Sequence, residues 1–405
     1  MSAQFWLRDG LGSEDGRLRI AGRDAEALAR ERETPLYVYD LSRVADNVQR
    51  LRAALDGAGV SHGVRFALKA NRVGEVVDLL RELAVGIDAS SPGEVSLALE
   101  SGFAPSQISF TGTNLSDRDL RVLLPSGVHV NVDLLSQLRR YGRSAPGTAV
   151  GIRVNPRAGG SYRGAAETIY SGDRPTKFGI YEEDLDEALA IASEHRLTID
   201  TVHIHVGDGF LDDGLAGFEA AVSKAAEIAR RLMERGCPIR EVNTGGGLGV
   251  PQAAGERPLD LAAYAAVLAR CLGPLEVTVA CEPGDFLVKD SAILLCEVVT
   301  VEDRLGTRFI GLDAGWNVMP DRMVYGVSTD IVLCRAVNDP ALGPATVAGH
   351  INEGDDLFAE GHPMPEVREG DIVALVDVGG YHQAMSSTHC LRPHAGTLVL
   401  RERLS

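Results

Sequence analysis

Four groups of residues with catalytic chemistry stand at the ends of apolar, strand-like runs. They are Lys69 in FALKA, His205 in HIHVGD, the glycine run Gly245–Gly246–Gly247 in TGGGLG, and Glu282 in CEPGD. A desolvated lysine amine can form a Schiff base with a carbonyl compound, and an arginine cannot. Only four of the 40 basic residues are lysines, which favours a specific task for a lysine at a strand end. Successive glycine N–H groups can bind an anion such as a phosphate.

Each group also has an ordinary structural explanation. Lys69 could be a solvated cation and the glycine run a tight turn. Glu282 could cap a loop or helix, or it could hold a cationic ring nitrogen. His203 and His205 are two residues apart, so on one strand they would share a face. Such a histidine could be a metal ligand, a satisfied core residue or a flat surface on which a ring stacks, and the pattern alone leaves these alternatives open.

The elements that must position these groups are short apolar runs alternating with amphipathic helical stretches. Eight strand candidates occur, at 64–67, 85–88, 108–111, 128–132, 149–154, 202–206, 241–243 and 278–282. This alternation predicts a (β/α)8 barrel over about 45–285. Catalytic groups of such barrels lie where the strands end. The same rim should therefore also carry Asp88 with Ser90–Ser91, Thr113–Asn114, Asp133 and Asn155.

After about residue 290 the β-runs follow one another without long helices, from AILLCEVVTVED to GTLVLRE. We therefore predict a β-rich, sandwich-like or barrel-like domain that includes the N-terminal strand TPLYVYD (34–40). The predicted boundaries are 1–42 for the N-terminal segment, 43–288 for the barrel and 289–405 for the β-rich domain.

The composition and charge of the chain indicate which classes of binding partner are expected. The 405 residues include 57 acidic and 40 basic side chains, a formal charge of −17. This excess of acid without a basic run argues against nucleic acid or a membrane as a partner. No run approaches ~18 apolar residues and the first ten residues do not resemble a signal peptide, so we expect a cytoplasmic protein. The six cysteines form no CxxC pair, which favours reduced thiols over disulfides.

Taken in order, the motifs resemble those of the fold type III pyridoxal-phosphate decarboxylases, in particular the diaminopimelate decarboxylase branch related to ornithine and arginine decarboxylases. The resemblance covers nearly the whole chain. It rests on nine motifs in family order: TPLYVYD (34–40), FALKAN (66–71), GIDASSPGE (86–94), TKFGI (176–180), HIHVGD (203–208), GGGLG (245–249), EPG (282–284), DAGWN (313–317) and DVGGYHQAMSS (377–387).

The resemblance implies pyridoxal 5′-phosphate as the cofactor, held by Lys69 as a Schiff base. It implies that His205 stacks on the pyridine ring and that Glu282 binds the pyridinium nitrogen. It also implies that Gly245, Gly246 and Gly247 bind the phosphate, together with Tyr381 from a second subunit. Asp88 is the remaining cofactor-binding residue. The family's site lies at a dimer interface, with GHINEGDD (349–356) contributed in trans, so a homodimer is implied.

The chain departs from the family pattern at its catalytic acid. The family has a Cys in a Cys-Glu-Ser segment, and the aligned residues here are Asn352-Glu353-Gly354. An Asn does not donate a proton usefully, so another group must protonate Cα. The candidates are Lys69, Glu353, Tyr381 and Cys390. The family's Tyr-Asn pair is replaced here by His389-Cys390. We interpret Cys390 first as a buried structural thiol.

Acidic residues replace other groups at further positions. Asp285 stands where the family has an Arg after EPG, and Asp208 where it has a Ser after H-x-G. Diaminopimelate decarboxylases carry an Arg-Pro for the distal carboxylate eight residues after the Asp of DAG; here Asp321 takes that place and the Arg is displaced by one. The candidate substrate-binding residues are therefore Asp285, Asp321, Arg322, Tyr325, Asn352 and Glu353.

These observations predict a pyridoxal-phosphate-dependent decarboxylase that removes the α-carboxylate of a diamino acid. The extra acids suit a substrate with a cationic far end, such as D-lysine or D-ornithine, and meso-diaminopimelate is kept as a candidate substrate. A specialised-metabolite or carrier-tethered amino acid is a further alternative. Alternatives of another class are a metal-dependent barrel hydrolase using His203 and His205 with Asp88 and Glu282, a fold type III racemase and a non-catalytic cofactor-binding protein. The hydrolase would leave Lys69 and GGGLG without a role, so we expect no metal.

Overall fold

The computed structural model describes residues 4–161, 170–171, 174–327 and 329–401. The chain forms two compact units, one of residues 48–250 and 257–286, and one of residues 1–47, 251–256 and 287–405. We call them the barrel unit and the β unit. The predicted boundaries were 42 and 288, and nothing in the sequence pattern assigned 251–256 to the β unit.

Eight parallel strands close into a barrel, which confirms the predicted fold class. In chain order they are His62–Ala67, Gly86–Ala89, Ile108–Thr111, His129–Val132, Ala149–Arg153, Thr198–His203, Glu241–Asn243 and Thr278–Cys281. The eighth strand pairs with the first, and the sixth pairs with the fifth and the seventh. Most strand residues are buried, as expected for a parallel sheet covered on both faces.

Helices alternate with the strands along the chain. Their bounds are Leu41–Gly57, Gly74–Glu82, Pro92–Glu100, Asp117–Ser126, Leu135–Ser144, Leu185–His195, Leu215–Glu234, Leu261–Leu272 and Asp285–Val288. Side-chain caps fix several of their starts. Ser91 accepts a hydrogen bond from the Glu94 N–H before a helix that opens on Pro92, and Ser116 with Asp119 forms a capping box.

The β unit is built on a mixed sheet that includes the N-terminal strand, as predicted. Its strands, in spatial order, are Ile331–Leu333, Ile372–Val376, Ala292–Arg304, Thr307–Leu312, Gly343–Ala348 and Leu357–Met364. Leu36–Asp40 pairs antiparallel with Ala292–Arg304 and parallel with Gly396–Leu400. Glu402, the end of the predicted GTLVLRE run, lies outside the described residues.

Three parts of the β unit were not predicted. The strands Leu11–Glu14, Arg17–Ile20 and Arg23–Asp24 form a small sheet, followed by the helix Ala25–Arg32. Trp6, Leu18 and Leu28 pack from this region onto the large sheet. The strand Leu357–Met364 contains Gly361 and Pro363, which read as turn residues, and it is tolerated because the strand lies at a sheet edge. The short helix Asp321–Tyr325 completes the unit.

No helix in the described ranges is long and apolar enough to span a membrane.

Candidate active site

The carboxyl ends of neighbouring barrel strands bring the predicted cation and carboxylates together. Lys69 lies in the turn Leu68–Ala70, directly after the first strand, and it is partly buried. Asp88 is in the second strand and Glu282 follows the eighth; they are 5% and 4% exposed. Because the eighth, first and second strands are adjacent, the three groups share one sector of the barrel rim.

Both carboxylate oxygens of Glu282 are bound by buried side chains. His203 Nε2 lies 3.0 Å from Oε2, and Asn243 Nδ2 donates to Oε1 at 2.5 Å. Burial alone would raise the pKa of Glu282. The electrostatic effect and hydrogen bond of His203, with help from Arg65 and Asn243, outweigh burial and hold this pKa below its ordinary value. A charged Glu282 can therefore hold a cationic group inside the barrel.

His203 and His205 do not share a face of one strand, which corrects the sequence-based expectation. The sixth strand ends at His203 rather than at Val206, and His205 lies in the loop that follows. His205 Nδ1 accepts a hydrogen bond from the Gly246 N–H at 3.2 Å, and the ring of Tyr170 meets it edge-on with centroids 4.8 Å apart.

The His205 ring is neutral near neutral pH. Burial and the nearby charges of Lys69 and Arg153 hold the pKa of this imidazole well below its ordinary value. A neutral, flat ring that is fixed by a backbone N–H on one side can support a planar ligand by stacking.

The glycine run leaves no room for side chains. Gly245 has φ +67° and Gly247 has φ +96°, in the region that favours glycine. A Cβ at Gly246 would lie 2.3 Å from the carbonyl oxygen of Glu282. The loop therefore rests directly on the segment that carries Glu282. The Gly245 N–H donates to Asn243 Oδ1 at 2.9 Å, so Asn243 joins the loop to the Glu282 carboxylate.

Asp88 is a buried acid beside a negative charge. Burial and the charge of Glu282 raise the pKa of Asp88 well above its ordinary value, and Lys69 acts in the opposite direction. Its Oδ1 atom is buried and has no hydrogen-bond partner within the described part of the chain. A buried polar atom of this kind is expected to meet a group that the chain itself does not supply.

The groups on the rim fit pyridoxal phosphate in chemical type. A primary amine suits its aldehyde, a charged carboxylate its ring nitrogen, a neutral imidazole its ring face and a glycine loop its phosphate. The orphaned Oδ1 of Asp88 is the observation that a resident ligand would satisfy.

Two acids act on Tyr170, next to His205. Burial raises the pKa of the Tyr170 phenol and the charge of Asp208 raises it further; Arg153 opposes this and Asp285 adds to it. Asp208 belongs to the two-residue strand Gly207–Asp208, and Asp285 begins the helix Asp285–Val288. Both side chains are half-buried. The barrel unit thus brings together two of the three extra acids noted in the sequence.

The third acid is not the spare charge that the sequence suggested. Asp321 is 3% exposed, and its Oδ2 lies 3.2 Å from Lys289 Nζ and 3.2 Å from His382 Nε2. Lys289 therefore neutralises Asp321 within the β unit. The other two candidates there are also engaged: Arg322 pairs with Glu360, and the Tyr325 hydroxyl contacts Met385 Sδ at 3.5 Å.

The predicted proton donors of the β unit lie mainly on exposed loops. Asn352 and Glu353 are exposed, and Glu353 Oε1 lies 3.3 Å from His389 Nε2. Cys390 is exposed as well, so its interpretation as a buried thiol is wrong. Tyr381 is half-buried and has φ +61°, a left-handed conformation. The six cysteines are free, as expected.

Sequence reasoning missed Asn243, Arg153 and Lys289. Asn243 ends a strand two residues before the glycine run, a position that could have identified it. Arg153 is 7% exposed and lies over the Phe178 ring at 4.4 Å, and burial lowers its pKa. Lys289 is one of only four lysines, so the scarcity argument that identified Lys69 applied to it equally.

The metal-dependent hydrolase is not supported. His203 and Glu282 bind each other, and His205 accepts from a backbone N–H. Across the described ranges no three His, Cys, Asp or Glu side chains are arranged to hold a metal ion.

Comparison with known proteins agrees with the chemistry of the rim. Residues 41–289 match the family described as "Pyridoxal-dependent decarboxylase, pyridoxal binding domain". The diaminopimelate decarboxylase of Methanothermobacter thermautotrophicus is 36% identical over 96% of this chain and 92% of its own length. The structure of diaminopimelate decarboxylase from M. jannaschii in complex with L-lysine is 26% identical, with a TM-score of 0.89 over 98% of this chain and 93% of that one.

The structure of the Helicobacter pylori diaminopimelate decarboxylase with L-lysine is 29% identical, with a TM-score of 0.84 over 93% of this chain and 94% of that one. Family match, relatives and fold agree with the lysine, carboxylate and glycine loop of the rim. The chain therefore belongs to the pyridoxal-dependent decarboxylases, and it is a pyridoxal-phosphate-dependent carboxy-lyase acting on an amino acid.

Proposed function

We propose that this decarboxylase acts on a D-configured diamino acid whose far end is cationic, with D-lysine and D-ornithine as the leading substrates. The observation that carries the proposal is the pair of acids, Asp208 and Asp285, that act on Tyr170 beside His205. Asp321 does not contribute to this pair, because Lys289 takes its charge within the β unit.

The residues of the barrel have distinct tasks in this proposal. Bound pyridoxal phosphate supplies an electron sink for the bond between Cα and the carboxylate. Lys69 would provide the primary amine that anchors the cofactor through its aldehyde. Glu282, kept charged by His203 and Asn243, would hold a proton on the ring nitrogen. His205 would support the ring as a neutral surface, and the glycine run at 245–247 would bind the phosphate.

Return of a proton to Cα requires an acid. With Asn352 in place of the family's Cys, we retain Lys69 in the barrel unit and Glu353, Tyr381 and Cys390 in the β unit as donors. Glu353 is bonded to His389, and Cys390 follows His389 directly, so the two belong to one exposed patch of loops. Cys390→Ser and Glu353→Gln distinguish them, because the true donor's replacement slows turnover without weakening cofactor binding.

A second substrate, meso-diaminopimelate, is favoured by the names of the relatives. It ends in a carboxylate as well as an amine, and the displaced Arg322 pairs with Glu360 in this chain. For this reason we consider meso-diaminopimelate a less favoured substrate than D-lysine or D-ornithine. A carrier-tethered or specialised-metabolite substrate remains the third alternative.

The deciding experiment measures CO₂ release from D-lysine, D-ornithine, L-lysine and meso-diaminopimelate by the purified holoenzyme. A charge at about 5 Å and an effective dielectric of about 20 contributes on the order of 3 kcal/mol. Asp208→Asn and Asp285→Asn should therefore each lower kcat/KM for D-lysine by on the order of 100-fold. Asp213→Asn, the loss of an exposed acid in the same unit, is the matched control. Much faster release from meso-diaminopimelate than from either basic amino acid overturns the proposal.

We also propose that the active enzyme is a homodimer in which residues 349–356 and Tyr381 serve the partner's site. Two inactive variants, Lys69→Ala and Tyr381→Ala, carry their defects in different units. Mixed under exchanging conditions, they should recover roughly a quarter of wild-type activity, since one of the two sites in each mixed dimer is intact. No recovery from subunits that exchange would contradict shared sites.

A further inference from the structure

We infer that the buried cluster Lys289–Asp321–His382 is a positioning device that holds Tyr381 in the conformation needed to bind the cofactor phosphate. The inference rests on the role of Tyr381 in the proposed function. It assigns a task to three buried ionisable residues that the decarboxylation chemistry does not use.

The segment that carries Tyr381 needs an external hold. Asp377 has φ +57° and Tyr381 has φ +61°, both in the left-handed region that non-glycine residues adopt only when their surroundings impose it. Backbone contacts fix the start of the segment. Val378 N–H donates to Ala292 O at 3.1 Å and Gly379 N–H donates to Lys289 O at 2.8 Å.

Packing makes this anchor tight. A Cβ at position 379 would lie 1.8 Å from the carbonyl oxygen of Val288, so only glycine allows the two backbones to approach. The segment before Tyr381 is therefore fixed against residues 288–292.

Buried side chains hold the other side of Tyr381. His382 is 1% exposed, and its Nε2 lies 3.2 Å from Asp321 Oδ2. Burial lowers the pKa of His382 to about 4, against the opposite effect of Asp321, so the imidazole that lies against this carboxylate is neutral at physiological pH. Lys289, 5% exposed, places its Nζ 3.2 Å from the same Asp321 oxygen, so the buried acid is paired with a buried cation.

The two anchors meet at one residue. The carbonyl of Lys289 accepts from Gly379, and its ammonium group pairs with Asp321, whose Oδ2 also contacts His382 Nε2 at 3.2 Å. The contacts close a ring that runs from Lys289 through Gly379, past Tyr381 to His382, and back through Asp321. The ring of contacts therefore holds the chain both before Tyr381, at Gly379, and after it, at His382. Opening the ring at His382 frees the backbone that orients the Tyr381 side chain.

The test is a double-mutant cycle on cofactor affinity. Apoenzyme variants His382→Phe, Tyr381→Phe and the double variant are titrated with pyridoxal phosphate, and Kd is measured from the change in protein fluorescence. If the cluster acts through Tyr381, each single variant should raise Kd roughly tenfold. The Kd of the double variant should then equal the higher of the two single-variant values within about twofold. Effects that multiply to about a hundredfold would overturn the inference, as would an unchanged Kd for His382→Phe.

Two more variants separate positioning from general stability. His382→Gln keeps a side-chain N–H that can donate to Asp321, so it should restore the Kd to within about threefold of wild type. Arg335→Met breaks an ion pair with Asp371 elsewhere in the same unit and should leave Kd unchanged. An equal rise of Kd in Arg335→Met and His382→Phe would mean that the cluster acts only by stabilising the β unit. The substrate assay on wild-type enzyme is independent of this outcome, so the proposed substrate and the cluster can fail separately.

Discussion

Asn243 is expected to set cofactor affinity, because it links two parts of the barrel rim. Its Nδ2 donates to Glu282 Oε1 at 2.5 Å, and its Oδ1 accepts from the Gly245 N–H at 2.9 Å. Asn243→Ala removes both bonds at once. Among the described residues, it leaves His203 as the side chain hydrogen-bonded to the Glu282 carboxylate, and it releases the first residue of the glycine run. The substitution therefore disturbs the predicted contacts to the ring nitrogen and to the phosphate together.

The magnitude follows from the two bonds. A hydrogen bond to a buried charged group contributes about 1.5–3 kcal/mol and a neutral one about 0.5–1.5 kcal/mol. The sum, about 2–4.5 kcal/mol, divides between the stability of the apoenzyme and its affinity for the cofactor. If half of it appears in binding, Kd for pyridoxal phosphate rises roughly 5- to 50-fold, at about 1.4 kcal/mol per tenfold change.

Asn131 provides a matched control. It is a fully buried asparagine of the fourth barrel strand whose Nδ2 donates to Ser109 Oγ and Thr111 Oγ1, both at 3.0 Å. Asn131→Ala should lower the free energy of unfolding by about 1–3 kcal/mol without changing Kd. Fluorescence titration of the two apoenzymes, with urea unfolding of each, makes the comparison. The reasoning is refuted if Asn243→Ala raises Kd no more than Asn131→Ala does.

A charge at the same position gives a sign that a purely structural defect does not. Asn243→Asp places a second carboxyl group against Glu282, and two carboxylates so close cannot both be ionised. At low pH the new carboxyl group is protonated and can donate to Glu282 as the amide did. Cofactor binding by this variant should therefore be stronger at pH 6 than at pH 8, whereas Asn243→Ala should show no such recovery. Equal pH dependence in the two variants would contradict the proposed hydrogen bond.

Three other changes have defined outcomes. Lys69→Ala should abolish CO₂ release and the borohydride-sensitive visible absorption of the holoenzyme; a variant that keeps full activity would exclude Lys69 as the anchor. Arg65 binds both oxygens of Glu241 at 2.7 and 2.8 Å, so Arg65→Met should lower the free energy of unfolding by about 1–3 kcal/mol in urea titrations, and a loss near zero would refute this. Burial, opposed by Arg8, raises the pKa of Asp377 to about 6, so the stability that the protonated acid contributes is lost as pH rises from about 4 through 6. Asp377→Asn should therefore gain about 1–2 kcal/mol on wild type between pH 5 and 7.5, and a constant difference would show that Asp377 does not titrate there.

The barrel could be predicted from sequence because its signals are local and repeated. Each strand is a short apolar run and each helix has its own periodicity and cap, as at Ser91 and Ser116. Errors concentrated at strand ends, where a residue or two decides the function. The sixth strand stops at His203, so His205 turns out of the strand and the predicted shared face does not exist. Apolar patterning carries no information on such an end, because the buried Ile204 and Val206 continue the pattern beyond the last paired residue.

The pairing of buried charges was out of reach for the same reason. Asp321 looked like a spare acid because its neutralising partner, Lys289, is 32 residues away in the chain. Asp208 and Asp285 were noted together only as departures from a pattern, and what connects them in the structure is that the charges of both raise the pKa of Tyr170. Charge counting along a sequence gives the number of acids, but only tertiary contacts tell which of them are already neutralised.

The distribution of the four lysines supports a division of labour between the two units. Lys224 pairs with Glu182 and Glu227 on the surface, and Lys177 lies over the Phe178 ring. The other two, Lys69 and Lys289, are held at least partly buried, one on the barrel rim and one beneath the turn of Tyr381. Arginine retains its charge in both places, so Lys69→Arg removes only the reactive amine, and Lys289→Arg tests whether a bulkier cation still fits beside Asp321. We expect Lys69→Arg to lose activity while it still binds the phosphate group of the cofactor normally. We expect Lys289→Arg to lose affinity for that phosphate group. This pair of results would separate the chemistry of the barrel from the positioning role of the β unit.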